Sequence, residues 1–246
     1  MTLPFTISLS VTDKEKGEEI IESLSEQLLA ELNRIEREYS PFKKDSLVNQ
    51  FRQGDFSLLE INKEFQEIYT IVTTAKTATN GAFDPYHHQE YDPTGFVKGW
   101  AIERCFNLFL KPLLEADWVD GVALNGGGDM QFASRPFTDH EWNIAIENPK
   151  QTKEILQKVS MKNGTIASSG YSKRGHHIIG NDSTLEQVSV FGEKLGFTDL
   201  WATALLSSDA DNRSYLISHY NLSALLVFSK KIERYVNGEK YYEKAI

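Results

Sequence analysis

The stretch from Thr79 to Trp100 constrains this chain more than any other: it places three glycines, two prolines, two aspartates and one lysine between two segments with helical apolar spacing. Such a density of turn-formers predicts a structured connection rather than a linker, and connections of that kind carry function. Asp92 and Lys98 stand six apart with the Pro93-Thr94-Gly95 turn between them. The apolar run Phe96, Val97, Trp100, Ala101, Ile102 follows, so Lys98 is expected in the first turn of a helix, where backbone N–H groups favour a phosphate. Alone, the same pattern also fits a solvated helix start.

The flanking segments predict the frame. Residues 3–11 alternate apolar and polar as a half-buried strand does, and residues 15–38 place Ile20, Leu24, Leu28, Leu32 and Ile35 on one helical stripe. Phe65, Ile68, Val72 and Ala75 predict a second helix that stops at Asn80-Gly81. Between these helices lies the turn 40–46, with Phe42 and two lysines, which by itself reads as surface. A helix over 96–111 is expected to stop near Pro112, and Cys105 within it reads as a buried small hydrophobe.

Further on, Gly121 to Phe132 runs as a strand into Asn125 and three glycines followed by Asp129. The spacing is not that of a dinucleotide fingerprint. Residues 142–149 alternate as a strand, and 163–180 predict a strand, a Ser168-Ser169-Gly170 turn and a basic loop ending in His176-His177. Thr198 to Leu206 predicts a short helix with Thr198 as N-cap. Asp199 and Thr203 share one of its faces and offer two oxygens to a hard cation, or Asp199 merely favours the helix dipole. Residues 222–228 predict a strand, and Asn237-Gly238 a hairpin turn. The fold class expected is α+β, one domain over residues 1–246, with largely antiparallel sheets and packed helices.

Composition excludes several functions. The net charge of −9 and the lack of a basic block argue against nucleic acid, and no run reaches the roughly 20 apolar residues of a membrane span, so no membrane insertion is expected. A start without a basic, apolar leader predicts a cytoplasmic protein.

In order along the chain, the turn Ser40–Ser46, Gly-Ala-Phe-Asp at 81–84, Asp92-x-x-Gly95-x-x-Lys98-Gly99, Asn-Gly-Gly-Gly-Asp at 125–129, Ser-Ser-Gly-Tyr with His-Ile at 168–178, and Asp-x-x-x-Thr-Ala at 199–204 resemble the ApbE family, the FAD:protein FMN transferases. The resemblance implies an enzyme that binds FAD and Mg2+ and passes FMN to a threonine or serine hydroxyl of an acceptor protein, releasing AMP. It further implies FAD contacts from Phe42, Ala82, Phe83, Asp84, Asp92, Lys98 and Ile179. Magnesium ligands would be Asp199, Thr203 and the carbonyl of Gly95, with His177 as the proton acceptor and Asp199 also catalytic.

The chain departs from the family pattern where Phe42 replaces a tyrosine, Gly196 an aspartate, Gly180-Asn181 an Asp-Pro, and where an N-terminal Met-Gly-Thr is missing. Two other activities fit the same residues: an FAD pyrophosphatase giving FMN and AMP, and a non-catalytic FAD-binding protein.

Overall fold

The computed structural model describes residues 3–87, 89–151, 153–170 and 184–245. Eight strands form one antiparallel sheet in the order β1 (Phe5–Val11), β2 (Val119–Gly126), β3 (Asp129–Ser134), β6 (Gly164–Gly170), β7 (Leu185–Gly192), β8 (Ser223–Phe228), β9 (Lys231–Val236) and β10 (Glu239–Ala245). The two missing numbers, β4 (Trp142–Glu147) and β5 (Ile155–Met161), pair as a separate hairpin.

Helices cover one face of the sheet and this hairpin the other. On the helical side lies the main core, which joins α1 (Lys14–Tyr39), α4 (Lys63–Ala78), α5 (Thr94–Cys105) and α6 (Leu195–Ser207) to the inner residues of β2, β6 and β7. On the other side Ile144 and Ile146 of β4 pack on Ala123, Phe132, Ile166, Leu225 and Val227. The α+β expectation is met, with antiparallel pairing throughout the described strands.

The helices obey their apolar spacing. Leu24, Leu28, Leu32, Ile35 and Tyr39 of α1 are buried, and the Asp13 side chain caps its start by accepting from Lys16 N. Phe65, Ile68, Val72 and Ala75 form the buried stripe of α4. Burying a side chain such as Phe65 contributes about 1.5 to 3 kcal/mol.

The end of α4 is fixed twice. Asn80 and Gly81 take left-handed φ of 54° and 81°, and Gly81 N donates back to Lys76 O at 2.8 Å, a glycine-type helix stop. Thr79, fully buried, donates its hydroxyl to Ala75 O and accepts from Phe83 N at 2.9 Å. The chain therefore enters the organising stretch in a set direction.

Three local expectations fail, each for a physical reason. Ser168-Ser169-Gly170 is not a turn: it completes β6, where Ser168 faces Ser189 across β7. Pro112 does not stop the chain's helical run, because a wide turn over Phe106–Leu110 lets a 3₁₀ segment, Lys111–Glu115, restart with the proline near its first position, where no N–H is needed. Thr198 is not an N-cap, since α6 starts at Leu195 and the Thr198 hydroxyl turns inward to Thr165, at 2.7 Å.

Short elements with little periodicity complete the frame: α2 (Leu47–Arg52), capped by Ser46, α3 (Leu58–Ile61) and α7 (Ala210–His219), capped by Asp209. Cys105 is buried, and burial pushes its thiol up to about 12, as the small-hydrophobe reading requires. Among the described residues no helix is long and apolar enough to cross a membrane.

Candidate functional site

Two helices that cross at glycines carry the site. A side-chain carbon added at Gly99 of α5 would lie 2.6 Å from Leu195 O and 2.9 Å from Asp199 Cβ; one added at Gly196 of α6 would lie 2.8 Å from the Phe96 ring. Neither position has room for a larger residue, and backbones approach closely there because both are glycine. Gly196 thus has a packing role where the family resemblance leads one to expect an aspartate.

The crossing brings Lys98 of α5 against Asp199 of α6. The ammonium lies 3.1 Å from the Asp199 carboxylate and pairs as well with Asp129, the first residue of β3. Both carboxylates are buried, at 1% and 2% side-chain exposure. Lys98 is the fifth residue of α5, so it stands just past the first turn rather than within it as the sequence suggests, because the helix already starts at Thr94.

Asp129 owes its position to the glycines before it. Gly127 and Gly128, with φ of 65° and 103°, form the two-residue turn joining β2 to β3, and Asn125 holds that turn by accepting from Gly128 N at 2.9 Å. Across the sheet, Asp129 accepts from Ser168 N at 3.0 Å. In the sequence Asp129 shows only as the aspartate after three glycines, and its burial against Lys98 emerges from the fold.

Asp199 and Thr203 do share a face of α6, and the Thr203 hydroxyl lies 3.3 Å from that of Ser169 on β6. The next turn reaches the organising stretch: Ser207 donates to Ala82 O at 2.7 Å. Phe83 lies on Gly95, whose added side-chain carbon would meet the ring at 2.9 Å. Residues 82–83, Gly95, Lys98, Asp199 and Thr203 therefore form one connected band along the two helices.

The other predicted residues shape the edges of this band. Asp92 accepts from Thr94 N and from its hydroxyl, at 2.9 and 2.6 Å, and so satisfies the first N–H of α5 from ahead of its N-cap, Pro93. Asp84 pairs with Lys76 at 2.8 Å and accepts from Tyr86 N. Burial pushes its carboxyl up, but the Lys76 and Tyr86 bonds outweigh it and hold it below the usual range. Phe42 is 92% exposed on its turn, and it does not line the cleft described next. Arg52 ties that turn to the organising stretch by donating to Pro41 O and to Tyr91 O. His177 and Ile179 lie outside the described residues, as does His176.

Glu103, which sequence reasoning missed, supports the helix bearing Asp199. Lys194 gives α6 no side-chain cap, and Glu103 of α5 replaces it by accepting from Gly196 N at 3.0 Å. Burial raises its pKa, opposed by the N–H groups it caps.

A cleft of about 540 Å³ opens beside Lys98 between the β2–β3 turn, the end of β6 and strand β4. Ile144, Ile146, Ile166 and Met130 give it an apolar wall, while Lys98, Ser168, Ser169 and Gln187 give it polar groups. A cleft with an apolar wall and a few converging polar groups suits a flat organic ligand with a charged end. Of the described residues implied by the resemblance, Lys98 is the one that lines it.

Among the described residues no three His, Cys, Asp or Glu side chains converge as a metal cage. The oxygen donors nevertheless fit magnesium, which takes one or two carboxylates and fills its remaining positions with water and phosphate. Asp199 and Thr203 supply such oxygens on one helix face, and the Gly95 carbonyl, in the first turn of α5, retains a lone pair beyond its helical bond.

Comparison with known proteins agrees with the fold. A crystal structure of the ApbE protein of Thermotoga maritima superposes with a TM-score of 0.74 at 17% identity, covering 93% of this chain and 92% of that one. The flavin transferase ApbE of Vibrio cholerae gives 0.68 at 14% identity over 100% and 94%. The apo flavinyl transferase ApbE of Pseudomonas stutzeri gives 0.66 at 14% over 99% and 94%. No curated protein sequence matches significantly. The ApbE family model matches residues 1–91 and 86–226, nearly the whole chain, and the chain belongs to the ApbE family.

Proposed function

We infer that this protein is an FAD:protein FMN transferase that uses Mg2+ and modifies a threonine or serine of an acceptor protein. The observation that carries the reading is the lysine between two buried carboxylates at the wall of a half-apolar cleft, in a chain of this family. Solved relatives from Vibrio cholerae and Pseudomonas stutzeri are named flavin transferases.

In this reading FAD lies in the cleft and along the 82–84 band, with Phe42, Asp92 and Ile179 completing its contacts and Lys98 meeting the pyrophosphate. Asp199, Thr203 and the Gly95 carbonyl would hold magnesium, which would supply positive charge to the phosphates. The acceptor hydroxyl oxygen attacks the phosphorus of the FMN half, an oxygen–phosphorus bond forms, the pyrophosphate bond breaks, and AMP leaves. The hydroxyl proton passes to His177, whose ordinary pKa of about 6.5 suits a base near neutral pH. A hydrolase differs only in that water takes the place of the acceptor.

Incubation with FAD, Mg2+ and acceptor proteins, followed by mass spectrometry, tests the reading. FMN bound to an acceptor serine or threonine is expected. Free FMN and AMP with unmodified acceptor would point to the hydrolase, and flavin binding without turnover to a binding protein.

A further inference from the structure

Lys98 has two carboxylate partners, and they differ in what else they do. Asp199 stands on the helix face with Thr203 and is the carboxylate proposed for the cation. Asp129 stands on the neighbouring strand, fixed by Ser168 N and the glycine turn, and points its other oxygen at the Lys98 ammonium. A divalent cation on Asp199 must therefore share that carboxylate with an ammonium already 3.1 Å from it. Like charges at such separations, in so buried a place, repel strongly. How much of the ammonium Asp199 feels depends on how firmly Asp129 draws it away.

We propose that Asp129 is a positioning residue that shares the Lys98 ammonium with Asp199 and thereby sets the protein's affinity for a divalent cation. The inference rests on the cation site of the proposed function, yet it concerns this chain's own charges. It makes Lys98 a competitor of the cation as well as a contact for phosphate. Neutralising Asp129 shifts the ammonium toward Asp199, so the cation binds more weakly; removing the ammonium lets it bind more tightly.

The test is titration of the full-length protein with Mn2+ as the probe, read by electron paramagnetic resonance of the free ion, without flavin. Asp129→Asn is expected to weaken Mn2+ binding about tenfold, within the usual range of coupling between sites, and Lys98→Met to tighten it. In the Lys98→Met background Asp129→Asn should change affinity less than about twofold, since the residue acts through the lysine. Asp129→Glu should restore most of the loss. An equal loss in both backgrounds would overturn the proposal by showing a direct action on the cation, and so would weaker binding by Lys98→Met.

A merely structural Asp129 would shift the melting temperature with Mn2+ affinity unchanged, which also overturns it. If Lys98→Met proves too unstable, Lys98→Gln provides the same comparison. Because no flavin is present, a protein that binds Mn2+ as described but transfers no FMN would refute the transferase reading alone.

Discussion

Two charged clusters lie on opposite ends of α5, and they are built differently. Toward the surface, Arg34 of α1 bonds Glu31, Glu38 and Glu64 at 2.7 to 2.9 Å, and Arg104 of α5 joins through Glu31. Arg34 keeps 26% of its side chain in solvent and its partners between 15% and 26%. Each guanidinium there meets several carboxylate oxygens in fork geometry, and the network ties three helices together. At the other cluster the Lys98 ammonium pairs with two carboxylates that water scarcely reaches. Buried charge of that kind is costly unless paired, so the two carboxylates hold the ammonium closely. The first arrangement holds helices together; under the proposed function the second also receives a cation.

The sharpest break in that comparison is Asp199→Ala. Under the proposed function it removes the charged ligand, and magnesium-dependent FMN transfer is expected to fall more than ~100-fold, while Thr203→Val, which removes a neutral one, costs roughly tenfold. A magnesium titration of the transfer rate checks both; full activity of Asp199→Ala at low Mg2+ would remove the metal assignment.

Next in size is Gly99→Ala, which presses on the crossing that brings the carboxylates together. The added methyl meets backbone at Leu195 O, which cannot swing aside as a flexible side chain can. A loss of about 1 to 3 kcal/mol in urea unfolding is expected, typical of overpacking, with a matching loss of transfer activity. Unchanged stability would mean that α5 and α6 separate easily.

How much of this was legible in the sequence differs between the two kinds of feature. Periodic burial gave α1, α4 and β1 nearly to the residue, and the helix stop at Asn80-Gly81 followed from local backbone chemistry. Thr198 misled because a threonine at a helix start and a threonine buried against Thr165 look alike in one dimension. The Ser168-Ser169-Gly170 run misled because small polar residues are favoured in turns, and here tertiary pairing with β7 overrides that preference. The band of Phe83, Gly95, Lys98, Asp199 and Thr203 was nameable from residue type and the family resemblance. Its closure by Asp129 and Glu103 was not, since each acts across a contact between elements distant in sequence.

The structural cluster can be broken without touching the site. Arg34→Ala is expected to destabilise by about 1 kcal/mol, the scale of partly exposed pairs, and to leave FMN transfer unaltered. The Arg34 guanidinium, against opposing burial and with help from Arg104, holds Glu31 down at about 2 from an ordinary 4.5. A depressed carboxyl adds stability that is present above pH 4.5 and is lost as the pH falls through about 2. The difference in stability between wild type and Arg34→Ala should therefore be constant above pH 4.5 and shrink toward pH 2. A difference that grows on acidification would contradict the ion-pair account.

Phe42 is expected to give the smallest effect, and it asks whether the turn at residues 40–46 belongs to the site at all. Its ring is 92% exposed, so Phe42→Ala has almost no packing to lose and should leave stability within about 0.5 kcal/mol. Yet the turn is not adrift: Arg52 fastens Pro41 O on one side and Tyr91 O on the other, which ties the residue before Phe42 to the stretch 79–100. An aromatic ring held in solvent at such a place is available to stack on a flat ligand, and one such contact contributes about 0.5 to 1.5 kcal/mol. Phe42→Ala should then weaken FAD binding about two- to tenfold, measured by quenching of flavin fluorescence, with no change in melting temperature. Phe42→Tyr should bind as the wild type does. Equal affinity of all three proteins would show that the turn only braces Arg52, and would confine the flavin to the cleft and the 82–84 band.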